Sequence, residues 1–292
     1  MTAQERLESL LAHNTLVVAG GVAAVGVAAA VVGCFGVLRR RALVGDAAAH
    51  ATLPGIAAAF AVTGRRELWV LLAGAAVSAI ASLGALTLIR RHSRTRDDAA
   101  TAIVLGVSYG AGIAAISGLV ARGVAGSAGL EAFLLGSTAA LTLHDSLLVA
   151  AISAVVLAVV LAGLKEATLV AFDPAFAASA GWPVGRIDAA LVALTASMVV
   201  AAVPTAGAVL VTAMVVIPPA AARQWTDRLP TMLAIAGLIG LVSSLAGVVA
   251  SAIVPRLATG PAVVLASSAA FLASVCVRLL RTSWRPPGVS EP

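Results

Sequence analysis

The sequence predicts an all-α polytopic membrane protein with about nine (eight to nine) transmembrane helices. Of its 292 residues, 61% are hydrophobic, enough for roughly nine spans of ~20 residues each. Charged residues make up only 11%, less than half the ~25% of an ordinary soluble domain. The apolar residues also lie in continuous runs, whereas a membrane β-barrel alternates polarity over short stretches. These observations exclude a soluble globular domain, a disordered chain and a peripheral anchor. Aromatic residues are 4%, and the abundant Ala, Gly and Val let membrane helices pack closely.

The runs divide into candidate spans at 15–38, 46–63, 68–89, 99–121, 145–164, 187–203, 206–222, 231–253 and 261–280. Residues 1–14 carry mixed charge and lack the basic start and cleavage site of a secretory signal, so the first span is expected to be retained. The sixth and seventh spans are short and separated only by Pro204-Thr205-Ala206-Gly207. They read as a tight hairpin or as one broken helix, which sets the count at nine or eight. The connection 122–144 contains LEAFLLG, too short to span and expected as a re-entrant or interfacial helix. The connection 165–186 contains an Asp173-Pro174 start and a Gly181 stop, which predict a helix of about seven residues outside the bilayer. The polar, Pro-containing tail 281–292 is expected to be disordered. The organisation is therefore an N-terminal segment 1–14, a transmembrane domain 15–280 and a tail 281–292.

Cationic residues set the expected orientation. With the end of the first span in the cytoplasm, 14 of the 19 Lys and Arg residues fall on that side and five on the other. That asymmetry follows the positive-inside rule and puts the N-terminus outside and the C-terminus inside. It also accounts for the net charge of +6 without a nucleic-acid partner. The two cysteines, Cys34 and Cys276, both sit in apolar runs and read as small buried hydrophobes.

One pair of residues stands out for its chemistry. Twelve of the 13 carboxylates lie in loops, tails or span ends, whereas Asp46 opens directly into a span. Among the four histidines only His50 lies inside an apolar segment. Four residues apart, the two share a helix face about one turn apart. An ionisable group facing hydrocarbon costs at least ~2.5 kcal/mol, so both are expected to face protein, a cavity or a partner subunit. One carboxylate and one imidazole make half a site for zinc, manganese or iron, and a two-fold dimer would complete it. The spacing alone leaves a second reading open, in which Asp46 caps the helix and His50 bonds a backbone carbonyl. Pro54-Gly55, in the same span, reads either as a gate hinge or as a packing kink. In the 165–186 connection, Phe172, Phe176 and Trp182 give the short helix an apolar side, for lipid or for a soluble subunit. The chain has no phosphate-binding loop; its one lysine, Lys165, is followed by Glu166. ATP hydrolysis, if it drives transport, must belong to another chain, and no catalytic residue is expected here.

At these residues the sequence resembles the permease subunits of the zinc/manganese/iron-uptake ABC transporter family. LRRRALVGDAAAHATLPGIA (38–57) carries that family's basic turn, Gly-Asp-Ala, His and Leu-Pro-Gly. AFDPAFAASAGWPV (171–184) is similar to its coupling segment, with Asp173, Pro174, Phe176, Ala177 and Gly181 in place. GAVLVTAMVVIPPAAAR (207–223) is similar to its later Gly/Pro segment. The resemblance implies the ABC importer permease architecture: a homodimer in the cytoplasmic membrane, bound to ABC ATPase subunits and served by an extracytoplasmic metal-binding protein. It implies that Asp46 and His50 contact a divalent cation carried as substrate, with no permanently bound cofactor. Ser137 stands where many members have an acidic residue, which argues against a metal ligand in the outer loop. The weaker alternatives are a permease of the same fold for a metal chelate or other small solute, and a secondary carrier. A carrier usually spreads polar relays over several spans and has no use for a coupling segment.

Overall fold

The structure, a computed structural model, describes residues 13–65, 67–124, 142–254 and 257–283. Most of the N-terminal segment 1–14, the stretch 130–136 with Ser137, and most of the tail 281–292 lie outside the described residues. Eleven helices, and no strands, make up the described chain. They are α1 (His13–Leu38), α2 (Leu43–Thr63), α3 (Leu68–His92), α4 (Asp97–Ala121), α5 (Leu143–Ala162), α6 (Leu164–Phe172), α7 (Pro174–Ser179), α8 (Val184–Ala206), α9 (Ala208–Ala222), α10 (Leu229–Ile253) and α11 (Thr259–Ser283).

Eight of these helices are long and apolar enough to cross a membrane. The remaining apolar helix, α9, has 15 residues and is about 22 Å long, short of the ~30 Å hydrocarbon core. It is the second arm of a hairpin. A single residue, Gly207 with φ +86°, separates it from α8. Thr195 of α8 and Val215 of α9 both come up against Gly45 of α2, so the two arms lie side by side. The hairpin reading of 187–222 therefore holds, and the described residues form eight long apolar helices plus one short arm.

The core forms around α1. Its Ala28, Ala29, Ala30, Val32, Cys34 and Phe35 are buried among residues of α5, α8, α9 and α10. A second apolar cluster joins α2, α3 and α4 through Ile56, Phe60, Leu71 and Ile116. α2 belongs to both clusters: Ala48 and Ala49 pack into the first, Ala51 and Ala57 into the second.

Small residues bring these helices close. A Cβ on Gly55 would lie 2.0 Å from the Gly74 carbonyl oxygen, so the backbones of α2 and α3 nearly touch there. A Cβ on Gly33 would lie 1.9 Å from the Val215 carbonyl oxygen, which fixes the crossing of α1 with α9. By contrast, Gly20 in α1 has open space around it. Gly33→Val is therefore expected to destabilise the protein by about 1–3 kcal/mol through overpacking. Gly20→Ala should leave stability unchanged or slightly raised. Thermal unfolding of the purified protein in detergent separates the two; a Gly33→Val protein that melts with the parent would refute the crossing.

Candidate functional site

The turn that precedes α2 explains where Asp46 falls. The Arg39 and Arg41 amides donate to the carbonyls of Phe35 and Gly36, and Arg40 has φ +54°. The Val44 amide then donates to the Arg41 carbonyl, so helix begins at Leu43 with Ala42 at the cap position. Asp46 is thus the fourth residue of the helix and does not cap it. Its Oδ1 lies 3.4 Å from His50 Nε2, as the one-turn spacing requires. The two side chains are only partly exposed, at 38% for Asp46 and 23% for His50. The other ring nitrogen, His50 Nδ1, is buried and has no hydrogen-bond partner. The carbonyl-bonded alternative for His50 is therefore absent, whereas the ring of His92 does approach the carbonyl of Leu88.

Tyr109 of α4 stands edge-on to the His50 ring, 5.0 Å between centroids and 80° between planes. Edge-to-face contact favours one ring orientation. No local signal marks this residue in the sequence, where it lies in an apolar run 59 positions away. Among the described residues no three His, Cys, Asp or Glu side chains gather as a metal site. Among the described residues the Asp46–His50 pair thus gains no third ligand of those types.

Just beyond the pair, Pro54 lies inside α2 and removes the amide that would serve the His50 carbonyl. Ser78 of α3 packs beside this step, its hydroxyl donating to the neighbouring Ala51 carbonyl at 2.5 Å. Gly55 follows, at the near-contact with Gly74. The Pro54-Gly55 step therefore has a packing duty.

The coupling-like segment forms as its chemistry dictates. Asp173 Oδ1 accepts from the Phe176 amide at 2.8 Å, and Pro174 fills the first helical position of α7. The helix is six residues long, ending at Ser179. Gly181 takes φ +83°, and the Trp182 amide returns to the Ala177 carbonyl, as at a glycine-terminated helix end. Ala177 is buried against the bundle, while Phe172 and Phe176 are 53% and 58% exposed. α6, a separate nine-residue helix, leads directly into α7.

At the same end of the bundle an ionic cluster gathers residues that the sequence left as separate loop charges. The Asp188 carboxylate of α8 accepts from the Arg39 and Arg41 guanidiniums, one on each oxygen. Arg41 also approaches Asp97 of α4 at 3.9 Å, and Arg90 of α3 lies 3.7 Å from it. Burial lowers the Arg39 pKa below its ordinary value, and the Asp188 charge opposes that. Between α3 and α8 a cavity of about 800 Å³ opens beside this cluster, lined by residues such as Ile80, Leu83, Val192 and Ala196.

Comparison with known proteins agrees with this arrangement. Residues 13–278 match the ABC 3 transport family. The chain is 40% identical over 262 residues to the manganese transport system membrane protein MntC of Bacillus subtilis, covering 90% of this chain and 60% of that longer protein. It is 39% identical over 269 residues to the zinc transport system membrane protein TroC of Treponema pallidum, covering 91% and 90% of the two chains. Among solved structures, PsaBC from Streptococcus pneumoniae, in complex with Fab, superimposes with a TM-score of 0.80 at 28% identity, over 94% of this chain and 95% of that one. With nearly its whole length matched, the chain belongs to the ABC 3 transport family.

Proposed function

We propose that this chain is the membrane permease of an ATP-driven importer of divalent metal ions, with zinc, manganese or iron as cargo. The observation that carries the reading is the half-buried Asp46–His50 pair, one turn apart inside a span. Its relatives in Bacillus subtilis and Treponema pallidum are named for manganese and zinc transport, which favours those two ions. A carboxylate oxygen and an imidazole nitrogen suit a borderline divalent ion, and neither is a soft ligand that would select copper. Two ligands per chain make half a coordination sphere. A second copy related by a two-fold axis would bring the set to two Asp and two His along a shared pathway. Pro54 and Gly55, directly beyond the pair, are the point at which α2 would bend as the pathway opens. ATP hydrolysis belongs to separate cytoplasmic ABC ATPase chains, and delivery to an extracytoplasmic metal-binding protein.

The test is uptake of manganese and of zinc by the permease reconstituted with its ATPase in proteoliposomes. Asp46→Asn keeps size and hydrogen bonding but removes the charge. It should cut uptake at least ~10-fold, the effect of losing a charge-assisted contact of about 1.5–3 kcal/mol. His50→Ala should act in the same direction. Uptake by Asp46→Asn at the parent rate, with the parent metal preference, would move the cation site elsewhere.

The exposed Phe176 of α7 supports docking of an ATPase there, since α7 is capped at both ends and offers its apolar side away from the bundle. Phe176→Glu should lower ATPase association while the permease still inserts; co-purification of the two chains at the parent ratio would count against docking at α7.

We read the end that carries Arg39, Arg41 and Arg90 as cytoplasmic, from the bias of basic residues toward it. The N-terminus is then outside and the C-terminus inside the inner membrane. A fluorescent reporter fused to the C-terminus should fold and fluoresce in the cytoplasm, and an alkaline phosphatase fusion there should be inactive. An active phosphatase would reverse the topology.

A further inference from the structure

The ionic cluster joins elements that have separate duties in the permease reading. α8 is the continuation of the coupling segment: only four residues, 180–183, separate α7 from it, and Asp188 is its fifth residue. α2 starts two residues after Arg41 and carries Asp46 and His50. α4 starts at Asp97 and carries Tyr109 against the His50 ring. The two arginines that meet Asp188 are not free side chains on a loose loop. They sit on a turn whose amides are tied back to the end of α1 at Phe35 and Gly36. Nor is the first turn of α2 free to adjust alone, because a Cβ on Gly45 would meet Val215 of α9 at 3.2 Å.

We propose that Asp188 is a positioning residue that transmits movement of the coupling segment to the Asp46–His50 pair, through Arg41 to α2 and through Arg41 and Asp97 to α4. The linkage rests on the permease reading above. Its chemistry suits the task. The Asp188 side chain is 23% exposed and those of Arg39 and Arg41 are 14% and 26%, so water and salt screen these pairs less than surface pairs. A carboxylate shared by two guanidiniums fixes direction as well as distance, since each oxygen has its own partner. Displacement of α8 by its coupling segment therefore pulls on the turn that starts α2. Asp46 lies five residues beyond Arg41 and is the fourth residue of α2, about one helical turn into it. Coupling needs such a chain of contacts with two alternative arrangements. Arg41 has two carboxylates within reach, Asp188 and Asp97, and the second is the looser at 3.9 Å.

The test measures metal taken up per ATP hydrolysed by the permease–ATPase complex in proteoliposomes, with manganese and zinc as probes. Asp188→Asn keeps the shape and removes the charge. ATP hydrolysis should persist while metal moved per ATP falls by ~5- to 150-fold, the range of ordinary site-to-site coupling. Asp188→Glu keeps the charge and should retain a ratio close to the parent's. If Asp188→Asn transports with the parent ratio, or if uptake and hydrolysis fall together in an assembled complex, Asp188 is a staple and the proposal is overturned. A Glu variant as uncoupled as the Asn variant would overturn it as well. Should Asp188→Asn fail to assemble, Arg41→Gln, which leaves Asp188 with Arg39, is judged by the same ratio. A parent complex that moves neither metal would defeat the permease reading itself, an outcome separate from a transporting parent whose variants stay coupled.

Discussion

In a bilayer an apolar side chain gains little by exchanging lipid for protein, so the bundle depends on how closely its backbones approach. Gly55 against Gly74 joins α2 to α3, and Gly33 against Val215 joins α1 to α9. Gly112 of α4 receives the side chain of Leu53, which brings the third neighbour onto α2. The Ala- and Gly-rich composition is the compositional face of this constraint. It also determines what the candidate site can be. α2 is held between two apolar clusters, so Asp46 and His50 project from a helix whose position is fixed on both flanks.

Most of the fold was legible because long apolar runs report their own length. The expected spans agree with the helices to within a few residues, and Asp173, Pro174 and Gly181 marked the short helix because caps act locally. The Asp46–His50 contact was legible for the same reason, since helical geometry makes neighbours of residues four apart. What escaped was whatever depended on distant partners. Asp188 meets Arg39 and Arg41 across 149 and 147 residues. In the sequence the two arginines read only as markers of membrane side, and Asp188 as one of the carboxylates at loops or span ends. Tyr109 is the lone tyrosine, yet nothing near it pointed to His50. Asp46 as a possible helix cap gave way because the arginine turn starts helix three residues earlier than the apolar run does.

The site and the ionic cluster are thus two faces of one short piece of chain. Residues 39–50 carry two arginines that bind α8 and two ligand-type side chains one turn apart, Asp46 and His50. Between them lies the first turn of α2, packed at Gly45 on Thr195 and Val215. A stiff connection this short has no slack in which to lose a displacement, whereas a longer or looser one would absorb it. The contact of Tyr109 with His50 adds a second constraint, because α4 starts from Asp97 within reach of the same Arg41.

The Pro218-Pro219 pair in α9 carries a consequence for which parts of the bundle can move. A proline at 219 supplies no amide to the carbonyl four residues before it, that of Val215. Left bare in hydrocarbon, such an oxygen is costly. It is the oxygen that Gly33 approaches, and the hydrogen occupying the place of a Cβ points toward it. A Cα–H group is a weak donor, but it is polarised, and here it is what α1 presents to that oxygen. Separating α1 from α9 would expose an acceptor that no residue of α9 can serve. These two helices should therefore travel as one body, leaving rearrangement to helices outside that pair, α2 with its Pro54 step among them.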